Sequence, residues 1–226
     1  MNNYTYKLVF NPEKDAWNWY NGCQKTGFGV DWKQRIDSDV ADKLSKAKPD
    51  EAYEFLDKYL KQKYQEDSET IRLGLEFINK RFEEHFELAC QKLIEITGRP
   101  LYRDDFTIYL TTFPRGPYDF QSGSLWLPIL WINPIANFMH EILHFQTIYY
   151  WRNNPKSAMN KMSKEDFEVL KESLTFVLDQ SLVPPLEKPD LGYTDHHKLR
   201  VKLYERWLED KNFDDLIEFG TNICHK

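Results

Sequence analysis

The sequence predicts a mainly helical α+β protein with a small antiparallel sheet or hairpin. Two patterns carry that prediction. Apolar residues recur at steps of three and four through most of the chain, most regularly between Ser68 and Thr97, which is the period of an amphipathic helix. Strict alternation, the mark of a half-buried strand, is confined to the amino terminus and to the stretch after Arg103. With 226 residues, 41% hydrophobic and 29% charged, the chain has material for one substantial core, so residues 1–226 are expected to form a single domain. Residues 1–100 would be its helical first part and 101–226 the part that carries the chemistry.

Composition narrows the partners. A net charge of −6 argues against nucleic acid or an anionic membrane. The most apolar run, Leu125 to Met139, is shorter than a membrane span needs and contains Pro128, Asn133, Pro134 and Asn137. Cys23, Cys90 and Cys224 are odd in number and far apart, which suggests neither a disulfide framework nor a cysteine metal site and fits a reducing cytosol. Met1 to Phe10 alternates Tyr4, Tyr6, Leu8 and Phe10 with polar residues, a strand pattern unlike a signal peptide.

The elements follow in order. Asn11 to Arg35 is rich in tryptophan and glycine without a clear period, which predicts a loop packing its aromatic rings or covering a cleft. Val40, Leu44 and Ala47 predict a short helix, and Pro49 opens another carrying Ala52, Phe55, Leu56, Tyr59 and Leu60. Ser68 to Thr97 is the longest helix, ended by Gly98 and Pro100; His85, on the edge of its apolar stripe, is given no role. Phe106, Ile108 and Leu110 then form a strand, Pro114 to Pro117 a turn and Ser124 to Leu127 a returning strand.

A helix from Pro134 to Trp151 follows this hairpin, started by Asn133 and Pro134 and stopped by Asn153-Asn154-Pro155. It is apolar nearly all round. Its polar residues Asn137, His140, Glu141, His144 and Thr147 fall in one stripe, and Gln146 alone breaks that pattern. Two histidines four residues apart on a helix point the same way, so both imidazoles can reach one Zn²⁺ at roughly 2.0–2.1 Å. Glu141, beside the metal but not aimed at it, suits a general base acting on water.

His140-Glu141-Ile142-Leu143-His144 is the HExxH pattern, and here the chain resembles the zincin metallopeptidases. The resemblance implies a zinc-dependent hydrolase, most simply a peptidase acting on a peptide or protein, with a small sheet ahead of the active-site helix. It also implies a third protein ligand downstream. The metzincin branch would need a histidine six residues after His144, where Tyr150 stands.

The next helix, Lys164 to Leu182, has Phe167, Leu170, Leu174, Val177 and Leu178 as its core stripe, and its Lys171-Glu172-Ser173-Leu174-Thr175 segment resembles the glutamate helix of gluzincins. Glu172 is the expected ligand, with Glu168, Glu165 and Asp195 as alternatives; an acid this deep among apolar residues is costly unless a cation answers it. The helper acid one turn on is replaced by Phe176, and Asp179 is left to orient a histidine. Pro184, Pro185 and Pro189 predict a loop. Gly192 to His197 then leads into a last amphipathic helix through Leu199, Leu203 and Trp207. Peptidases of this kind often stabilise the oxyanion with a downstream His or Tyr, for which Tyr193, His196 and His197 are candidates. Two other functions remain open on the sequence: hydrolysis of a non-peptide substrate, and a silent zincin-fold binding protein.

Overall fold

The computed structural model describes residues 4–24, 26–27, 30–131, 133–180 and 192–224. The first half of the chain runs β1 (Thr5–Phe10), α1 (Pro12–Gln24), β2 (Thr26–Gly27), β3 (Val30–Asp31), α2 (Ser38–Lys46), α3 (Pro49–Glu66) and α4 (Ser68–Thr97). The second half runs β4 (Asp105–Thr111), β5 (Tyr118–Asp119), β6 (Ser124–Pro128), α5 (Pro134–Thr147), α6 (Lys164–Ser173), α7 (Phe176–Gln180), α8 (His197–Asp210) and α9 (Phe213–Cys224). This is the mainly helical α+β class expected. No helix among the described residues is long and apolar enough to cross a membrane.

The sheet differs from the expected hairpin. Its order is β1-β4-β6-β5, and β4 pairs with β6 in parallel, from Thr107 opposite Ser124 to Thr111 opposite Pro128. Residues 112–123 connect the two strands, and about a dozen residues suffice for a parallel crossover. The prolines read as a hairpin turn therefore begin a crossover instead. The true antiparallel partner of β6 is the short β5, turned back through Gly123 at φ +69, a left-handed conformation that glycine adopts without steric cost. β1 lies parallel to β4 on its other side.

The tryptophan-rich segment is also different. Residues 12–24 form α1, its first turn capped by the Asn11 side chain, which accepts from the Lys14 amide at 3.0 Å, with Pro12 at its start. Its buried face is Asp15, Asn18, Trp19, Gly22 and Cys23, which is helical spacing concealed by two polar members. Gly22 is required there, because a Cβ at that position would lie 2.1 Å from the Phe113 ring.

The chain forms two compact units: Thr5–Glu84 with Asp105–Pro134, and Met1–Tyr4 with His85–Asp104 and Ile135–Lys226. The first contains the sheet and α1 to α3, with Trp19, Leu44, Leu56, Leu60 and Phe113 among its core residues. Asp15 ties this unit together. It is fully buried, and it accepts from the Thr111 hydroxyl at 2.5 Å, the Thr112 amide at 2.9 Å, the Thr112 hydroxyl at 2.7 Å and the Tyr64 hydroxyl at 2.8 Å. Burial pushes the carboxyl pKa up, and these donors pull it partly back. Asp15→Ala leaves the buried Thr111 hydroxyl and three partly buried donors without their acceptor, so it is expected to cost about 3 kcal/mol, read as a lower urea midpoint at unchanged slope. A loss under about 1 kcal/mol would show that the network contributes little.

The second unit holds the HEILH helix. α5 begins at Pro134 as expected, and a π-helical turn over Ile148–Arg152 carries it to the predicted stop. Ile135, Phe138, Met139, Ile142, Leu143 and Phe145 are fully buried. Gln146, out of place in the polar stripe, is bound to backbone: its side chain accepts from the Tyr102 amide at 2.7 Å and donates to the Pro100 carbonyl at 2.8 Å. Beyond the turn, the Arg152 guanidinium donates to the Met159 and Met162 carbonyls at 2.8 and 2.9 Å and lies 4.8 Å from the Phe167 ring centre. The chain returning from α5 is thus pinned where α6 starts.

Two expectations for the carboxyl-terminal part are corrected. The helix predicted over Lys164 to Leu182 breaks at Leu174–Thr175 into α6 and α7, and its last two residues, like Pro184, Pro185 and Pro189, lie outside the described residues. At the break, the Glu172 carbonyl accepts from the Thr175 hydroxyl at 2.9 Å and from Arg200 at 3.4 Å, so side chains replace the missing helical bond. Nor is α8 the last helix. Lys211, in left-handed conformation at φ +52, ends it; Asn212 accepts from the Asp215 amide at 3.1 Å, and α9 packs Gly220 against Leu170 and Leu203.

Candidate metal centre

α5 presents His140 and His144 one turn apart, their ring centres separated by 4.4 Å. α6 ends at Ser173, so the Glu172 side chain leaves the helix in its last turn, within reach of both rings. His140 Nε2 lies 3.5 Å from Glu172 Oε2, and His144 Nε2 lies 3.2 Å from Glu172 Oε1. One potential ligand atom from each of the three residues lies within 4.8 Å of the others. Tetrahedral coordination at about 2.0–2.1 Å places ligand atoms about 3.3 Å apart. The two imidazole–carboxylate separations are close to that value, so these three side chains could hold a metal ion.

Electrostatics leaves His144 and Glu172 in their ligating forms. Burial, partly offset by Glu172, pulls the His144 imidazole down to about 4, so it is neutral at pH 7. Burial alone would raise Glu172; the two imidazoles, His144 first, outweigh it and hold this carboxyl well below the ordinary range. An ionised carboxylate and a neutral imidazole are what metal binding requires. His144 is deep, with 2% of its side chain exposed, whereas His140 keeps 27%, so the centre faces solvent on the His140 side.

The remaining expected site residues are placed unequally. Glu141 is half-buried on α5 beside His140. His196 is buried, and burial lowers its pKa while Glu172, within electrostatic range, raises it. The Tyr193 ring centre stands 5.4 Å from that of His196. His197 is exposed at the start of α8. Of the alternative third ligands, Glu165 and Asp195 are exposed, and Glu168 accepts from Lys171 at 2.7 Å. Asp179 faces Arg200 at 3.8 Å.

Two residues escaped the sequence reading. Lys171 is buried, its Nζ 3.3 Å from Glu172 Oε1, and Arg200 is buried against the α6–α7 break, donating to the Thr175 hydroxyl at 2.9 Å. A signal for both existed. Lys171 falls four after Phe167 and three before Leu174, and Arg200 three before Leu203 and seven before Trp207, so each occupies a core position of its helix stripe. No protein-family model, no curated protein and no solved structure matches the chain.

Proposed function

We propose that this protein is a zinc-dependent metallohydrolase, most simply a peptidase, with His140, His144 and Glu172 as the protein ligands. One observation carries the reading: three side chains that the sequence reading named on two separate helices lie together, with imidazole–carboxylate separations of 3.5 and 3.2 Å and all three potential ligand atoms within 4.8 Å of one another. Bound there, Zn²⁺ would polarise a carbonyl and lower the pKa of water. The chain's own residues supply the rest. Glu141, next to His140 and half-buried, takes a proton from the attacking water and hands it to the leaving amine. His196, with Tyr193 beside it, is the group nearest to an oxyanion-supporting role, while the exposed His197 is the weakest of the three candidates. The free cysteines, two of them buried, are in keeping with a reducing compartment such as the cytosol.

The test is a digest of an unbiased peptide library with zinc-loaded protein. Cleavage that a chelator abolishes and added zinc restores is the expected result. Absence of cleavage from protein carrying stoichiometric zinc would turn the reading toward a binding protein on the same centre.

A further inference from the structure

Among the described residues, Lys171 is the only buried lysine. Its side chain is 2% exposed and its ammonium sits between two carboxylates, 2.7 Å from Glu168 Oε2 and 3.3 Å from Glu172 Oε1. The second of these oxygens is the one that approaches His144 Nε2 at 3.2 Å. An ammonium and a candidate ligand imidazole thus converge on a single carboxylate oxygen.

We propose that Lys171 is a resident counter-cation of the metal centre: it offsets the charge of the Glu172 carboxylate before a metal arrives, competes with the metal for that carboxylate, and thereby sets how tightly a dication binds. The inference rests on the metal-site reading above. Its physical basis is the cost of burying charge. Glu168 is one-third exposed, so a lysine serving Glu168 alone would keep its ammonium in water with it. Instead the ammonium is turned inward, where the nearly buried Glu172, 10% exposed, helps to offset its desolvation. Consecutive helix residues do not normally face each other, so the pairing of Lys171 with Glu172 reflects this inward turn and not helix geometry.

A dication bound to Glu172 meets Lys171 as a like charge a few ångströms away. Binding therefore leaves Lys171 to Glu168, and part of the metal's binding energy is lost to repulsion. Lys171 is a positioning residue: it acts on the metal through Glu172.

The experiment is Zn²⁺ affinity measured by competition with a chromophoric chelator, together with thermal melting of metal-free and zinc-loaded protein. Lys171→Met keeps the length of the side chain and removes the charge. It is expected to bind Zn²⁺ about tenfold more tightly or better, even allowing for strong solvent screening, and to melt lower than wild type only when metal-free. A merely structural lysine would behave oppositely, since its loss would loosen the ligand and weaken binding. Unchanged or weaker Zn²⁺ binding by Lys171→Met, with wild type binding normally, overturns this inference and leaves the metal site standing. Wild-type protein that binds no Zn²⁺ overturns both. Should Lys171→Met fail to fold with or without zinc, Glu168→Gln decides. Losing its second carboxylate, Lys171 leans on Glu172, and Zn²⁺ affinity should fall about fivefold or more; unchanged affinity refutes the proposal.

Discussion

Glu141→Gln is expected to keep the fold and bind zinc as wild type does, while turnover falls by about 10²-fold or more. The amide matches the carboxylate in size and still accepts a hydrogen bond, but it cannot take up a proton. Because Glu141 is half-buried beside His140 and is not among the side chains whose ligand atoms converge, its replacement should leave the centre intact. Zinc content, melting temperature and kcat on a substrate drawn from the peptide digest read the three parts of this expectation separately. Undiminished cleavage by Glu141→Gln would refute the assigned base. Loss of zinc in that variant would instead mean that Glu141 is a ligand, and the donor set would have to be redrawn.

The joint change His140→Ala with His144→Ala should abolish stoichiometric zinc binding, since two of three protein ligands are removed. Glu172→Ala should weaken binding nearly as severely. Glu165→Ala should have almost no effect, because that side chain is exposed, and Glu168→Ala a much smaller one than Glu172→Ala, because it reaches the centre only through Lys171. Chelator competition ranks the variants. His144 is buried, so circular dichroism of the double variant must first show a native helix content. If Glu168→Ala were the leakiest of the three glutamate variants, the third ligand would be misassigned even though the histidine pair stood.

Much of the candidate site was legible because it is local. HEILH lies within two turns of one helix, where spacing alone dictates direction, and the polar stripe on an otherwise apolar helix marks the face that something polar must meet. Glu172 was reachable for a related reason: a carboxylate among core residues implies a cation, and the structure supplies imidazoles and an ammonium around it. What failed was mostly non-local. Strand partners are chosen across the fold, so Phe106–Leu110 and Ser124–Leu127 read as neighbours without revealing that they run parallel. α1 was missed because Asp15 and Asn18 occupy its buried face, and their burial makes sense only once Thr111 and Thr112 of a distant segment are in contact. The break in the Lys164 helix likewise has Thr175 and Arg200 satisfying the Glu172 carbonyl, and Arg200 lies outside any window on that helix.

The central claim is that His140, His144 and Glu172 hold a metal ion. Elemental analysis of protein purified without added metal, and again after zinc reconstitution and removal of excess, tests it most directly. The account predicts about one zinc per chain in wild type and essentially none in the His140→Ala, His144→Ala protein. A folded wild type that retains no transition metal after reconstitution would contradict it.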